Sequence, residues 1–221
     1  MTTAEKLIKV AENVPKVYET GKKAGSDEVW DAIQANGNRT NYRSAFLTWE
    51  TPEYITPKYP IRTSTMYETF NSCRALKELP PIEFTVDKLT FYSCFTACRS
   101  LKEIIMDIRP DEKTASSLTS TFNTCVSLQT INKIIVTEGM QYSSTFNFCE
   151  SLVNLTFEGV IGNNMNLSYS PLLSKESILN VLDCLANKTS GSFVLTLGTK
   201  NLAKLTDAEK AIATEKGWSL A

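Results

Sequence analysis

The chain has 221 residues, 42% hydrophobic and 21% charged, with a formal net charge of −1. That balance suits a globular protein with a real core and supplies no global field to draw in nucleic acid or an anionic membrane. Histidine is absent, which removes Ser-His-Asp and Cys-His catalysis, histidine metal ligation and the usual near-neutral proton switch. No apolar run approaches the ~20 residues of a transmembrane helix, so no membrane insertion is expected.

Residues 1–25, MTTAEKLIKVAENVPKVYETGKKAG, scatter charge along their length and lack the apolar centre of a secretory signal. Synthesis in the cytoplasm without a signal peptide is therefore expected. Leu7, Val10, Val14 and Val17, continued by Gly21 and Ala24, follow the 3-4 spacing of a coiled-coil seam. This marks a helical docking or oligomerisation segment. Pro15 interrupts it, and the other reading is a broken helix pair packed on the rest of the chain. Residues 26–62 hold a second helix, SDEVWDAIQANG over 26–37, capped by Ser26, charged by Asp27 and Glu28 and ended by Gly37. An extended entry, YITPKYPI, follows.

Residues 63–160 carry the strongest signal, a formula written four times: apolar-x3-Phe-x2-Cys-x2-Leu-x2-(Leu/Ile). The copies are Met66-Phe70-Cys73-Leu76-Leu79, Phe91-Phe95-Cys98-Leu101-Ile104, Leu118-Phe122-Cys125-Leu128-Ile131 and Tyr142-Phe146-Cys149-Leu152-Leu155. The Phe-to-Phe steps of 25, 27 and 24 residues fall in the range of leucine-rich repeats. Spacings of i, i+4 and i+7 before the Cys predict a short helical turn, and alternation in EIIMDI (103–108) and NLTFEGV (154–160) predicts a strand. The fold expected is thus an α/β repeat solenoid, a leucine-rich-repeat-like stack of short helix-turn-strand units. Phe70, Phe95, Phe122 and Phe146 would form its core column with Cys73, Cys98, Cys125 and Cys149.

These cysteines read as buried structural thiols, because stacked Cβ vectors run parallel and suit a disulfide poorly. CFTAC (94–98) lacks the CxxC spacing of a zinc knuckle, so no metal and no cofactor is expected. Cys184 reads as facing the core. Asp107 and Asp111 flank Arg109 and Pro110 on a predicted inter-repeat loop, where a solvated pair is favoured over general acid–base chemistry. The Asn-x-Ser/Thr sites at Asn38, Asn154, Asn166 and Asn187 read as chance occurrences. No catalytic constellation emerges. Exposed strand and loop positions, Lys102, Asp107, Asn132 and Glu158, are the candidate binding face.

Residues 161–221 read as a C-terminal α/β cap, needed because a terminal repeat exposes its apolar column. Ser174 caps a helix with Ile178, Val181, Leu182 and Leu185 on one face, SFVLTLG is a strand, and Thr206 with Glu209 form a capping box. Gly217 ends that helix, and WSL returns as a last short strand.

The formula resembles the BspA-type leucine-rich repeat, with SLTSTFNTCVSLQTI and QYSSTFNFCESLVNL closest to it. The likeness spans residues 63–160 and extends to GNRTNY, PKYPI and NLAKLTDAEKAIATEKGWSLA, flanks similar to a subgroup encoded by phages and prophages of gut bacteria. The resemblance implies a non-enzymatic phage or prophage structural protein, a tail- or neck-associated fibre or decoration, made in the bacterial cytoplasm and associated with the virion. Its partners would be other virion proteins or itself through the N-terminal segment, and a protein or glycan ligand on the repeat surface. The alternative is a bacterial surface adhesin. Light scattering of the full chain and of a version starting at Ser26 tests the N-terminal expectation. A defined oligomer that becomes a monomer on truncation supports an assembly handle, and two monomers leave a cap or a segment that needs a docking partner.

Overall fold

A computed structural model describes residues 45–50, 53–55, 61–80 and 82–221. The seam Leu7, Val10, Val14 and Val17 and the helix expected over 26–37 lie outside the described residues. Among the described residues the strands form a two-stranded parallel pair, β1 (Ile61–Thr63) with β2 (Ile82–Phe84), and two three-stranded parallel sheets. The first of these is β3 (Glu103–Ile108), β4 (Thr130–Val136) and β5 (Asn154–Gly159), in that order. The second is β6 (Met165–Asn166), β7 (Phe193–Thr196) and β8 (Trp218–Leu220). Three helices, α1 (Lys175–Cys184), α2 (Gly198–Leu202) and α3 (Asp207–Glu215), lie in the C-terminal part.

This corrects the expected α/β repeat solenoid of helix-turn-strand units. The described chain is an α/β fold with short, separate parallel sheets, and the repeat copies contain no α-helix. The reason lies in the backbone. Residues two before and two after each repeat Phe sit at positive φ: Glu68 (50°) and Ser72 (64°), Ser93 (49°) and Ala97 (59°), Ser120 (55°) and Thr124 (63°), Ser144 (54°) and Phe148 (57°). A left-handed residue stops a right-handed helix, so the i, i+4, i+7 spacing is carried by tight turns instead. The N–H of Cys73 reaches Phe70 O at 3.1 Å, and that of Leu76 reaches Cys73 O at 3.2 Å. Donors that a helix would aim four residues back are given to the next copy. Glu68, Phe70 and Ser72 donate to the carbonyls of Tyr92, Cys94 and Thr96 at 2.9, 2.9 and 2.7 Å.

The strands do not join into one ladder either. Pro80 and Pro81 precede β2 in sequence, and proline has no N–H to extend pairing. Beyond β5 the open edge is covered by α1. Ser177 Oγ accepts from Leu155 N at 2.9 Å, and Asn180 Oδ1 accepts from Phe157 N at 2.7 Å while its Nδ2 donates to Phe157 O at 3.1 Å. Helical side chains three residues apart thus complete β5 in place of another strand, which protects an edge. Register slips between Ile104 and Asp107 on β3, and between Ile131 and Ile134 on β4, so strict alternation fails there. Ile105 is turned out, 75% exposed.

Phe70, Phe95, Phe122 and Phe146 lie in one row with nearly parallel rings at centroid distances of 5.8–5.9 Å. Among the described residues the row extends one copy further back than the formula shows. Phe46 stacks on Phe70 at 5.1 Å, with Trp49 edge-on to Phe46 at 5.0 Å. Trp49 holds the Cys position and Ile55 the final apolar one, both buried. At the other end Phe157 closes the row edge-on to Phe146 at 6.1 Å.

The C-terminal helices start where their caps dictate. Ser174 accepts from Ser177 N, and Thr206 with Glu209 form a complete capping box. Gly217 leaves α3 at φ 82° with its Cβ direction blocked by Lys188 O, so only glycine fits. Phe122 is fully buried between two rings. Phe122→Ala should lower the unfolding free energy in urea by roughly 3–5 kcal/mol; a loss below about 1 kcal/mol would show that the row adds little to the core.

Candidate functional site

The cysteine column forms a structural ladder. Cys73, Cys98, Cys125 and Cys149 are buried free thiols. Each S–H donates to the carbonyl of the Phe one copy before it, Phe46, Phe70, Phe95 and Phe122, at 3.1, 3.1, 2.9 and 3.1 Å. Cysteine is small enough for the closely stacked turns and still offers a weak donor. A second buried column precedes each Phe: Thr69, Cys94, Thr121 and Thr145. Thr121 Oγ1 donates to Leu118 O at 2.7 Å, as Thr145 Oγ1 does at 2.8 Å. This explains Cys94, which stands outside the formula in a position otherwise held by threonine. Burial raises every thiol in these columns well above its ordinary value, with Cys149 pushed up to about 12. Protonated thiols are poor nucleophiles and poor metal ligands. Among the described residues no group of His, Cys, Asp or Glu could hold a metal ion.

The candidate face comes together in part. Asp107 lies within β3, which corrects its placement on a loop: register puts it opposite Lys133 on β4. Its carboxylate accepts from Asn132 Nδ2 at 3.1 Å and pairs with Arg109 at 3.2 Å. Glu158 pairs with Lys133 at 2.9 Å and holds that ammonium above its ordinary value. Lys102 stands exposed just before β3. Asp111 is apart from these, its carboxylate capping a turn through Lys113 N and Thr114 Oγ1, both at 3.1 Å. The face is therefore a set of mutually paired charges, and exposed pairs of this kind are worth little individually.

A different surface has unspent hydrogen-bonding capacity. Between the fourth copy and the third sheet lies an open groove of about 530 Å³, to which residues 141–144, Asn147, 163–166, 192–194 and Thr196 contribute. Its size falls in the range of small-ligand sites. None of these residues is charged. The segment GNNMN (162–166) supplies three carboxamides, each fixed at one end. Asn163 Nδ2 donates to Met140 O at 2.9 Å, and Asn164 Oδ1 accepts from Val194 N at 2.8 Å. Asn166 Oδ1 accepts from Ser168 N and Oγ at 2.9 and 2.7 Å. Left over are the Asn163 oxygen and the amide NH2 groups of Asn164 and Asn166. Tyr142 serves as wall, with its ring edge-on to Phe157 at 6.4 Å and its phenol held protonated by burial.

Asn147 and Phe148 distinguish the fourth copy from the others. In the first and third copies the Asn after the Phe is paired: Asn71 Oδ1 accepts from Ser72 Oγ at 2.9 Å and Asn123 Oδ1 from Thr124 Oγ1 at 3.0 Å. The fourth copy replaces that hydroxyl residue with Phe148. Among the described residues the Asn147 carboxamide then has no partner. Phe148 is 45% exposed at φ 57° and meets Tyr169, 39% exposed, at a ring distance of 4.8 Å. A bulky left-handed residue costs about 1–3 kcal/mol and tends to occur at functional places. The sequence reading missed this region, although GNNMN and the series Thr48, Ser72, Ala97, Thr124, Phe148 were available to point to it.

The buried thiols generate a pH prediction. Their folded values are raised, so the unfolded chain loses these protons first, beginning near the ordinary 9.0. Stability is full below that value and falls as pH rises above it. The urea midpoint should drop between about pH 8 and pH 10.5, and in native protein iodoacetamide should label only Cys184, the half-buried thiol. Rapid native labelling of Cys98 or Cys125 would contradict the buried ladder.

No family model matches the chain, and no curated protein and no solved structure matches it either.

Proposed function

We propose that this chain is a non-enzymatic recognition protein of a phage or prophage particle. Its N-terminal segment attaches it, to itself or to other virion proteins, and the repeat-bearing part presents the ligand surface. The virion reading is supported by the likeness of the repeats and both flanks to the BspA-type subgroup described above. The recognition reading is carried by one observation: Phe148, a large exposed aromatic in a left-handed backbone position that other copies fill with threonine, serine or alanine. With its ring 45% exposed, Phe148 adds less core burial than the buried aromatics of the row do. An exposed aromatic pair held on a rigid core is a low-entropy contact surface for a ligand.

Mass spectrometry of particles purified after inducing the encoding strain tests the virion reading. The chain is expected in stoichiometric amounts in the particles. Its recovery in the cell-envelope fraction, with none in particles, would overturn that reading in favour of a bacterial adhesin.

A further inference from the structure

We infer that the groove between the fourth copy and the third sheet is a binding site for neutral carbohydrate, a chain of uncharged pyranose sugars. The inference deepens the recognition reading and rests on the groove itself, independently of whether the protein rides on a particle.

The argument starts from what the groove offers. Its lining carries hydroxyls and carboxamides but no Lys, Arg, Asp or Glu. A phosphate, sulfate or carboxylate ligand would find no counter-charge there, and nucleic acid binding draws on such charges for most of its affinity. The charge beside the lining residue Phe193 is already paired: Lys188, whose ammonium lies 4.5 Å from the ring centroid, pairs with Glu138 at 2.6 Å. What remains is neutral hydrogen-bonding chemistry.

The pattern of that chemistry fits sugar hydroxyls. Every hydroxyl is both donor and acceptor, and neighbouring hydroxyls on a pyranose ring present the two roles side by side. A carboxamide offers one donor and one acceptor from a single plane, which matches such a pair. Asn147 has both ends unspent, while Asn164 and Asn166 offer donors and Asn163 an acceptor, each held in place by the bond at its other end. Fixed partners cost less entropy on binding than mobile ones. Beside this row Phe148 directly follows Asn147 in sequence, and with Tyr169 it forms the exposed aromatic surface. The C–H faces of a pyranose are apolar, and aromatic rings accept them while amides take the hydroxyl edges.

The test uses saturation-transfer NMR on the full chain. The probes are neutral glucan, mannan, galactan and chitin fragments, with a heparin fragment and a mixed peptide pool as competitors. At least one neutral fragment should bind at millimolar concentration or below. Asn164→Asp keeps the acceptor that holds Val194 N and removes the free donor, so the fold is preserved while affinity falls by about tenfold. Phe148→Ala should weaken binding comparably, and Asp107→Asn on the paired-charge face should leave it unchanged. Failure of every neutral fragment, binding of heparin or peptide in their place, or affinity indifferent to both Asn164→Asp and Phe148→Ala would overturn the assignment. None of those results would bear on whether the protein is found in particles.

Discussion

Everything in the repeat-bearing part depends on how its backbone donors are spent. Alternate residues of each copy give their N–H groups to the following copy: Phe91, Ser93, Phe95 and Ala97 to Ser117, Thr119, Thr121 and Asn123, all within 2.7–2.9 Å. A buried peptide group must be paired, and pairing across copies forces the turns to lie directly over one another. Rings and thiols then follow. Phe side chains meet face to face because their Cα atoms are held in register, and each cysteine is brought under the preceding Phe carbonyl. The left-handed residues take part in the same pairing: Glu68 and Ser72 donate to Tyr92 and Thr96, as Ser93 and Ala97 do to Thr119 and Asn123.

The described part of the stack runs from Phe46, with Trp49 packed edge-on to it, as far as β5. Beyond β5 the helix α1 offers Ser177 and Asn180 to the strand edge, after which the third sheet and its helices form around Leu195, Trp218 and Ala213. The groove arises where these two constructions meet. Neither part alone would create it: Asn147 belongs to the last copy, Asn163 and Asn164 to the connection, Asn166 to β6 and Val194 to β7.

Chemically the protein divides into inert interior and selective exterior. The thiols of its two columns are numerous, yet burial keeps them protonated and out of reach. The strand face, where charge is concentrated, has already paired Asp107 with Asn132 and Arg109, and Glu158 with Lys133. Unspent hydrogen-bonding capacity is left where polar groups are uncharged and only half satisfied, in the groove that we propose for recognition.

Much of the molecule could be read in advance. Spacing alone picks out the Phe and Cys columns, and local chemistry alone places the caps at Ser174 and Thr206, because those patterns act within a few residues. The spacing was nevertheless misread as helix, since i, i+4 and i+7 also describe two consecutive tight turns. Only cross-copy hydrogen bonding, with partners some 23–26 residues away, tips the backbone toward the latter. For the same reason the copy at Phe46 escaped notice: Trp49 breaks the formula, and its membership rests on a stacking contact with Phe70. The groove was invisible because its residues are far apart in sequence, and a carboxamide's free end is defined only once its other end is bonded. Local pattern is enough to mark which side chains are buried in rows and where the C-terminal helices begin. The turn conformation, the breaks between sheets and the position of unspent hydrogen bonds are set by the folded arrangement, because each depends on partners that folding alone brings together.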